Sequence, residues 1–426
     1  MQSLTRMTSA EITALQNRKL QELLQYLSAR SPYYQELFRE RDIDISTIRT
    51  TADLSRLPFT TKDDLARNND AFLCVAKSDI TDFVTTSGTL SDPVAFYLTD
   101  ADVDRLAHNE AESFRCAGGT AGDIYQLMTT IDKRFMAGLA YWMGARKMGA
   151  GIIRVGPGAP FLQWESILRF SPTVLIAIPS FIPKLIDYAE ANDIDFRSSG
   201  VKSVICIGEP IRNPDFSLNE LGKRITSKWD IRLYSTYAST EMGAAFTECE
   251  QGRGGHLNPD LLILEVVDEN GNEVNEGELG EVVVTTLGVE GMPLIRYKTG
   301  DLCHVYHAPC ACGRVSTRLG PVVGRKQQMI KFKGTTIFPP ALFDVLDMVR
   351  EIDLYQVVIS KNEYGNDDIT ILLSMQLQSV SFREKLHSLF KSRLRVTPAL
   401  QFITAEELSF RIYKQEKRKP EKLVYI

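Results

Sequence analysis

Three short apolar runs, each ending in small or hydroxyl residues, restrict the fold of this chain more than any other feature. They are "TVLIAIPS" (173–180), "VKSVICIGEP" (201–210) and "DIRLYSTYASTEMG" (230–243). After the first comes a stretch with Ile182, Leu185, Ile186 and Ala189 on one helical face. From about Phe83 to Tyr237 such runs alternate with longer amphipathic ones, which predicts a largely parallel sheet covered by helices. Ligands in sheets of this kind bind beyond the carboxyl ends of the strands. The tips at Ser180, at Gly208-Glu209-Pro210 and at Ala238–Glu241 are therefore expected to converge on one site. Ahead of this region Ile12, Leu15, Leu20, Leu23, Leu24 and Leu27 recur at near-helical spacing, and Pro32 is expected to close the run.

Beyond residue 260 the pattern changes. "LLILEVVDENGNEVNEGELGEVVVTTL" (261–287) reads as a β hairpin with a polar Asn-Gly turn region. After "GPVVGRKQQMIKFKG", the runs "DLYQVVIS" and "DDITILLSMQL" read as strands, and Phe382, Leu386, Leu389 and Phe390 as the apolar face of a helix. A small α+β domain of about 100 residues follows. At 426 residues the chain is too long for one ordinary core. A net charge of −5 gives no reason to expect nucleic acid. The first residues lack an apolar signal region and no run approaches a membrane span. Seven cysteines fit a reducing compartment better than a disulfide framework, so a cytoplasmic protein is expected.

Cysteine and histidine spacing suggests a metal. Cys249 lies in "ECEQGRGGH" with His256 seven residues on, and Cys310 and Cys312 form a C-x-C in "HAPCACGR". Two ligands from each of two loops could complete a tetrahedral Cys₃His zinc site. Free buried thiols are the competing reading, and Cys303, His304 and His307 are alternative ligands.

Four segments occur in a recognisable order: "TTSGTLSDP" (85–93), "YASTEMG" (237–243), "MPLIRYKTGDLC" (292–303) and "GRKQQMIKFKG" (324–334). With "LPFTTKDDL" (57–65) they resemble the acyl-adenylating enzymes, most closely the phenylacetate–coenzyme A ligase family. The resemblance implies a large N-terminal domain (1–324) with mostly parallel sheets and a β subdomain, a small mobile C-terminal domain (325–426), and a hinge near 325–328. It also implies formation of an acyl adenylate from a carboxylic acid and ATP, followed by thioester formation with coenzyme A. Partners are then small molecules, with no nucleic acid and no membrane, and a homodimer is compatible with it.

Carried over residue by residue, the resemblance makes Glu241 the Mg²⁺ ligand, and a carboxylate suits that hard cation. On its own, Glu241 reads first as a helix-start glutamate favoured by the helix dipole. Asp301 and Arg325 are implied to hold the ribose; Gly208, Glu209 and Pro210 to lie along the adenine, with Tyr237 near it; and Ala238, Ser239 and Thr240 to belong to the same nucleotide site. Thr85, Thr86, Ser87, Gly88 and Thr89 would supply phosphate donors. Lys419 would assist adenylation, with Lys417 and Lys422 as neighbours in register, although a basic run is ordinarily a solvated tail. Tyr141 and Phe135 would face the acid. Similar Cys/His positions in related ligases favour structural zinc. Two departures stand out: Ser91 and Asp92 replace the usual Gly and Lys late in the phosphate loop, and Gln327 and Gln328 replace paired hinge aspartates. Lys62 is expected to help supply the missing positive charge. The alternatives are an adenylating enzyme serving a carrier protein or another acceptor, or a nucleotide-binding protein without ligase activity.

Overall fold

The protein is described by a computed structural model covering residues 7–86, 93–332, 335–362, 367–375, 380–414 and 420–426. The chain divides into two compact units, Met1–Leu218 with Gly222–Val322, and Asn219–Leu221 with Val323–Ile426.

The first unit opens with α1 (Ser9–Arg30), started by a capping box in which Thr8 and Glu11 satisfy each other's backbone amides. Leu20, Leu23, Leu24 and Leu27 are buried, whereas Ile12 and Leu15 are only half-buried. Pro32 ends one helical run and also starts the next. It is the first residue of α2 (Pro32–Glu40), with Ser31 serving as a cap for both helices. The ring's fixed φ suits that position, and the missing N–H has no partner to lose there. The short helix α3 (Lys62–Arg67), the hairpin β1 (Asp82–Thr85) and β2 (Ala95–Leu98), and the long helix α4 (Asp100–Cys116) follow.

Next come β3 (Ile124–Leu127), α5 (Met136–Met148), β4 (Gly151–Arg154), α6 (Pro160–Phe170), β5 (Val174–Ala177), α7 (Ile182–Ala191), β6 (Ser203–Ile207), α8 (Glu220–Lys228) and β7 (Arg232–Ser239). The strands run parallel in the order β4-β3-β5-β6-β7. Every residue of β5 and β6 is buried, as strands covered on both faces require.

These five strands are the parallel sheet expected from the alternating pattern; beyond β7 the sheet continues antiparallel, so as a whole it is mixed. The chain continues through β8 (Ala244–Glu248), β9 (Gly255–His256), β10 (Leu262–Val267), β11 (Leu279–Thr286), β12 (Tyr297–Tyr306) and β13 (Arg318–Leu319). Spatially these extend the sheet as β7-β8-β9-β13-β12-β11-β10. The reason is loop length. Only residues 240–243 join β7 to β8, and a parallel partner would need a crossover of a dozen residues or so. One core packs Leu24, Leu27, Tyr34, Val284 and Tyr297 together; another packs Phe114, Tyr125, Tyr141, Ile176 and Ile205.

The second unit contains β14 (Gly324–Arg325), the hairpin β15 (Ile330–Phe332) and β16 (Thr335–Ile337), α9 (Pro339–Asp347), β17 (Leu354–Lys361), β18 (Asp367–Ser374), α10 (Val380–Leu394), β19 (Ala399–Phe402), α11 (Ala405–Ile412) and β20 (Leu423–Tyr425). Its main sheet has the order β19-β18-β17-β20, and Leu342, Val357, Ile371, Leu386 and Phe390 lie in its core. The α/β class with a small α+β unit is the one expected.

Candidate functional site

The strand tips do approach one another. Glu209, after β6, accepts from both the backbone amide and the hydroxyl of Ser180, after β5, at 3.0 Å each. Gly208 carries φ +75°, a conformation glycine adopts without strain. From β7, Tyr237 donates its hydroxyl to Asp301 Oδ2 of β12 at 2.8 Å. Burial, reinforced by the Asp301 charge, raises the Tyr237 phenol well above its ordinary range and keeps it a donor. Asp301 is 5% exposed, so its carboxylate faces little water. Gly300 before it turns at φ +76°, and Thr299 accepts from the Asp301 amide at 3.1 Å. At the end of β7 the half-buried Glu241 accepts from the Tyr297 hydroxyl at 3.4 Å. Two Tyr–carboxylate pairs thus join β7 and its following turn to β12.

The segment bearing Lys62 is tied to the same strand. Thr60 donates its amide to the Arg296 carbonyl at 3.1 Å, and its own carbonyl accepts from Lys298 at 2.9 Å. Thr61 and Asp64 cap α3, leaving Lys62 half-buried in its first turn. Arg296 holds this arrangement. Its guanidinium donates to Leu57 O at 2.6 Å and Ser55 O at 3.3 Å, forms a buried ion pair with Glu265 at 2.8 Å, and lies 4.0 Å from the Phe59 ring centroid.

The phosphate-loop expectation needs correction where it can be followed. The Thr85 amide donates to Arg134 O at 3.1 Å, and the Thr86 amide to Val94 O at 2.9 Å. Thr86 Oγ1 in turn accepts from the Val94 amide at 3.0 Å. The Thr85 amide is committed to the loop before α5 and the Thr86 amide to the base of the β1–β2 hairpin, so neither amide is available to an anion. Ser87, Gly88, Thr89, Ser91 and Asp92 lie outside the described residues, as do Lys417 and Lys419.

The remaining candidates are distributed as follows. Ala238 is exposed and Ser239, Thr240 and Pro210 are half-buried. Ser239 Oγ accepts from the Met242 amide at 3.3 Å. Arg325, in the second unit, is half-buried on β14, and Gln327 and Gln328 sit in a short 3₁₀ turn. Lys422 Nζ donates to the Tyr355 hydroxyl at 3.2 Å, a packing role within that unit. Tyr141 is 3% exposed, packed near Phe114 in the core, and half-buried Phe135 precedes α5. A small cavity beside Glu241 is lined by Phe96, Leu106, Met136, Thr240, Met242 and Met292 among others, but by neither Tyr141 nor Phe135.

Cys249, His256, Cys310 and Cys312 come together, with their ligand atoms all within 4.8 Å of one another. Cys249 and Cys310 sulfurs are 3.7 Å apart, and Cys312 Sγ is 3.5 Å from His256 Nε2. Sulfurs bound tetrahedrally at about 2.3 Å from one zinc stand about 3.8 Å apart, so these separations fit. Ser316 lies 3.5 Å from the second ring nitrogen of His256. Burial pushes the His256 pKa down to about 3, helped by Arg314 and Arg318. The alternative ligands are elsewhere: His304 bonds Gly277 O at 2.9 Å, His307 is exposed, and Cys303 is buried in the main core.

The sequence reading missed the buried polar face of α4. Asp102 accepts from the amides of Glu290 and Gly291, both at 2.8 Å. Arg105 donates to the carbonyls of Leu287, Gly243 and Leu261 at 2.8, 2.6 and 2.7 Å. Asn109 accepts from the Ala245 amide and from Asn258, both at 3.0 Å. This helix therefore fixes the backbone at the end of "YASTEMG" and at the start of "GVEGMPLI". Nothing in its polar, charge-rich sequence marks that face as buried.

A family model described as AMP-binding enzyme matches residues 27–291. A phenylacetate-coenzyme A ligase of Thermus thermophilus is 29% identical over 381 residues, 88% of this chain and 83% of the relative. A phenylacetate-coenzyme A ligase of Escherichia coli is 28% identical over 378 residues, 87% of this chain and 84% of the relative. Among solved structures, 2-hydroxyisobutyryl-CoA ligase in the postadenylation state with 2-HIB-AMP superposes with a TM-score of 0.86. That match covers 99% of this chain and 91% of the other at 23% identity, a likeness of fold.

Proposed function

The chain belongs to the AMP-binding enzyme family, and from that premise we propose that it is an AMP-forming acid–thiol ligase acting on an aryl or acyl carboxylic acid of phenylacetate type. The acid's carboxylate attacks the α-phosphate of ATP and expels pyrophosphate. The thiol of coenzyme A then attacks the acyl carbon and AMP leaves. The observation that carries this reading is the pair of Tyr–carboxylate contacts at the strand ends, Tyr237–Asp301 and Tyr297–Glu241. Asp301, held by a phenol that stays protonated, is suited to accept the two ribose hydroxyls. Glu241 offers a half-buried carboxylate to Mg²⁺, which would neutralise phosphate charge. Gly208, Glu209, Pro210 and Tyr237 would bound the adenine, with Ala238, Ser239 and Thr240 beside the α-phosphate. Arg325 and Lys419 of the C-terminal segment would reach the ribose and the reacting carboxylate, and Lys62 the phosphates. The acid would enter near α5, where Phe135 and Tyr141 are carried.

Cys249, His256, Cys310 and Cys312 would hold a structural zinc. With four protein ligands it leaves no open position for chemistry; its contribution is to pin the turn after β8 to the loop between β12 and β13. No described helix is long and apolar enough to cross a membrane. Seven free cysteines suit a reducing compartment, and a cytoplasmic location completes the reading.

The test offers the purified protein a panel of aryl and short-chain acids with MgATP, with and without coenzyme A. AMP and thioester formed only when acid and coenzyme A are both present support the proposal. Pyrophosphate release without any thioester would redirect it to another acceptor, and nucleotide binding with no turnover would remove the ligase assignment.

A further inference from the structure

We propose that the buried Arg212–Glu248 ion pair positions the nucleotide site and makes nucleotide affinity depend on zinc in the Cys249–His256–Cys310–Cys312 cluster. This rests on the nucleotide and zinc readings above and joins them.

The central group is one carboxylate. Glu248 is the last residue of β8 and is 1% exposed. Both of its oxygens accept from Arg212 Nε at 2.9 Å, and Oε2 also accepts from the Ser235 amide at 3.1 Å. The β7–β8 ladder runs from Thr236↔Thr247 to Ser239↔Ala244, so Ser235 lies just past its end and bonds this side chain instead. Ser235 stands two residues before Tyr237, and Arg212 two residues after Pro210. Ile211, between Pro210 and Arg212, is fully buried, and two extended residues span at most about 7 Å. One side chain thus anchors both segments assigned to the nucleotide, Gly208-Glu209-Pro210 and residues 237–240. The first of them is held twice, by Ser180 at Glu209 and by Glu248 at Arg212.

The same carboxylate sits between two metal ligands. Cys249 follows it in the chain, and across the β8–β9 ladder Glu248 pairs with Gly255, whose next residue is His256. The turn after Cys249 lies against the guanidinium. Gly252 donates its amide to Cys249 O at 3.0 Å and carries φ +59°; a Cβ there would fall 2.6 Å from Arg212 Nη2.

Zinc bound by Cys249 and His256 would fix these two residues relative to each other. It would thereby fix the Glu248 backbone and the turn that covers Arg212. Without the metal the four ligands have nothing to hold them together, and the carboxylate loses the frame that aims it. Charge-assisted hydrogen bonds away from water are strong and directional, so a displaced carboxylate is felt at both nucleotide segments. The competing role for the pair is stability alone, with no bearing on the nucleotide.

The experiment measures AMP affinity by calorimetry for zinc-loaded and zinc-stripped wild type, and for zinc-loaded Glu248→Gln, Arg212→Met and Arg212→Lys. It also measures zinc affinity against a competing chelator, with and without saturating AMP. Stripping should weaken AMP binding to the wild type about tenfold. Loaded Glu248→Gln and Arg212→Met should be as weak as the stripped wild type, with partial recovery in Arg212→Lys. By reciprocity AMP should tighten zinc binding to the wild type by the same factor of about ten, and leave it unchanged in Glu248→Gln. A pair that only stabilises the fold would lower the melting temperature of the variants but leave their loaded AMP affinity at the wild-type value, which overturns the inference. Tightening of zinc by AMP that persists in Glu248→Gln, as it would if the metal merely kept the whole unit folded, overturns it too. A wild type that binds AMP but takes up no zinc would remove the zinc reading and this inference while leaving the nucleotide reading intact. One that binds zinc but no AMP would remove the nucleotide reading and this inference with it.

Discussion

Replacing Glu110 with glutamine should stabilise the protein, and increasingly so as the pH rises. Glu110 lies on the buried side of α4 and is 5% exposed. Its Oε1 accepts from Asn109 Nδ2 at 3.0 Å. A Cβ at Gly144 of α5 would fall 2.3 Å from the Glu110 Cβ, which shows how closely the two helices pack over it. Burial raises its pKa from 4.5 to about 8, and the Asn109 bond offsets only part of that. Below 4.5 the carboxyl is neutral in the folded and unfolded chain alike, so it contributes no difference. Between 4.5 and about 8 the unfolded chain releases the proton while the folded chain keeps it. Unfolding is therefore favoured by about 1.4 kcal/mol for each pH unit across that window. The loss is about 3 kcal/mol near pH 7 and levels off at about 5 kcal/mol above pH 8. Glutamine keeps the oxygen that Asn109 bonds and removes the ionisation. Urea unfolding of both proteins near pH 5, 7 and 9, followed by tryptophan fluorescence and far-UV circular dichroism, reads the difference directly. It should be small at the lowest pH and grow to several kcal/mol at the highest. A stability difference that does not change with pH, or a variant less stable than wild type near pH 9, would refute the reasoning.

Tyr237→Phe removes the donor to Asp301; hydrogen bonds to charged groups are worth about 1.5–3 kcal/mol, so AMP affinity should drop at least about tenfold in a titration. Arg296→Met leaves Glu265 buried without its partner and releases the Leu57 carbonyl, so thermal and chemical denaturation should show a loss of about 3–5 kcal/mol. Metal analysis of protein purified without chelators should find about one zinc per chain, and Cys249→Ser should lower both the zinc content and the melting temperature. Metal-free wild-type protein would end the zinc proposal. Lys419→Ala should slow adenylation far more than thioester formation from preformed adenylate; equal losses in single-turnover assays of the two steps would remove Lys419 from that role.

How much of this was legible beforehand follows the range of the forces involved. Local pattern located β5, β6, β7, the β10–β11 hairpin and the leucine face of α1, because burial on a strand or helix face repeats with the element's own period. Tips of neighbouring parallel strands must lie at one edge, so the approach of Ser180 and Glu209 followed from the strand pattern alone. The cysteines and histidine were legible because few residue types bind zinc. Pro32 was half-legible: a proline cannot continue a helix, but it can equally begin one.

What sequence could not decide was which polar residues would be buried and what they would hold. Asp102, Arg105, Asn109 and Glu110 read as the solvated side of an amphipathic helix, yet three of them bind backbone groups 135 or more positions away along the chain, and the fourth is sealed under α5. Those partners become neighbours only when the sheet closes around α4, and no local period encodes that. The same holds for Thr85 and Thr86, whose amides looked available until the hairpin and the Arg134 loop claimed them. Periodicity was enough to identify the kind of fold, and the family resemblance carried by the ordered motifs implied its chemistry. The long-range hydrogen bonds that exist only in the folded chain decided which groups remain available to carry it out.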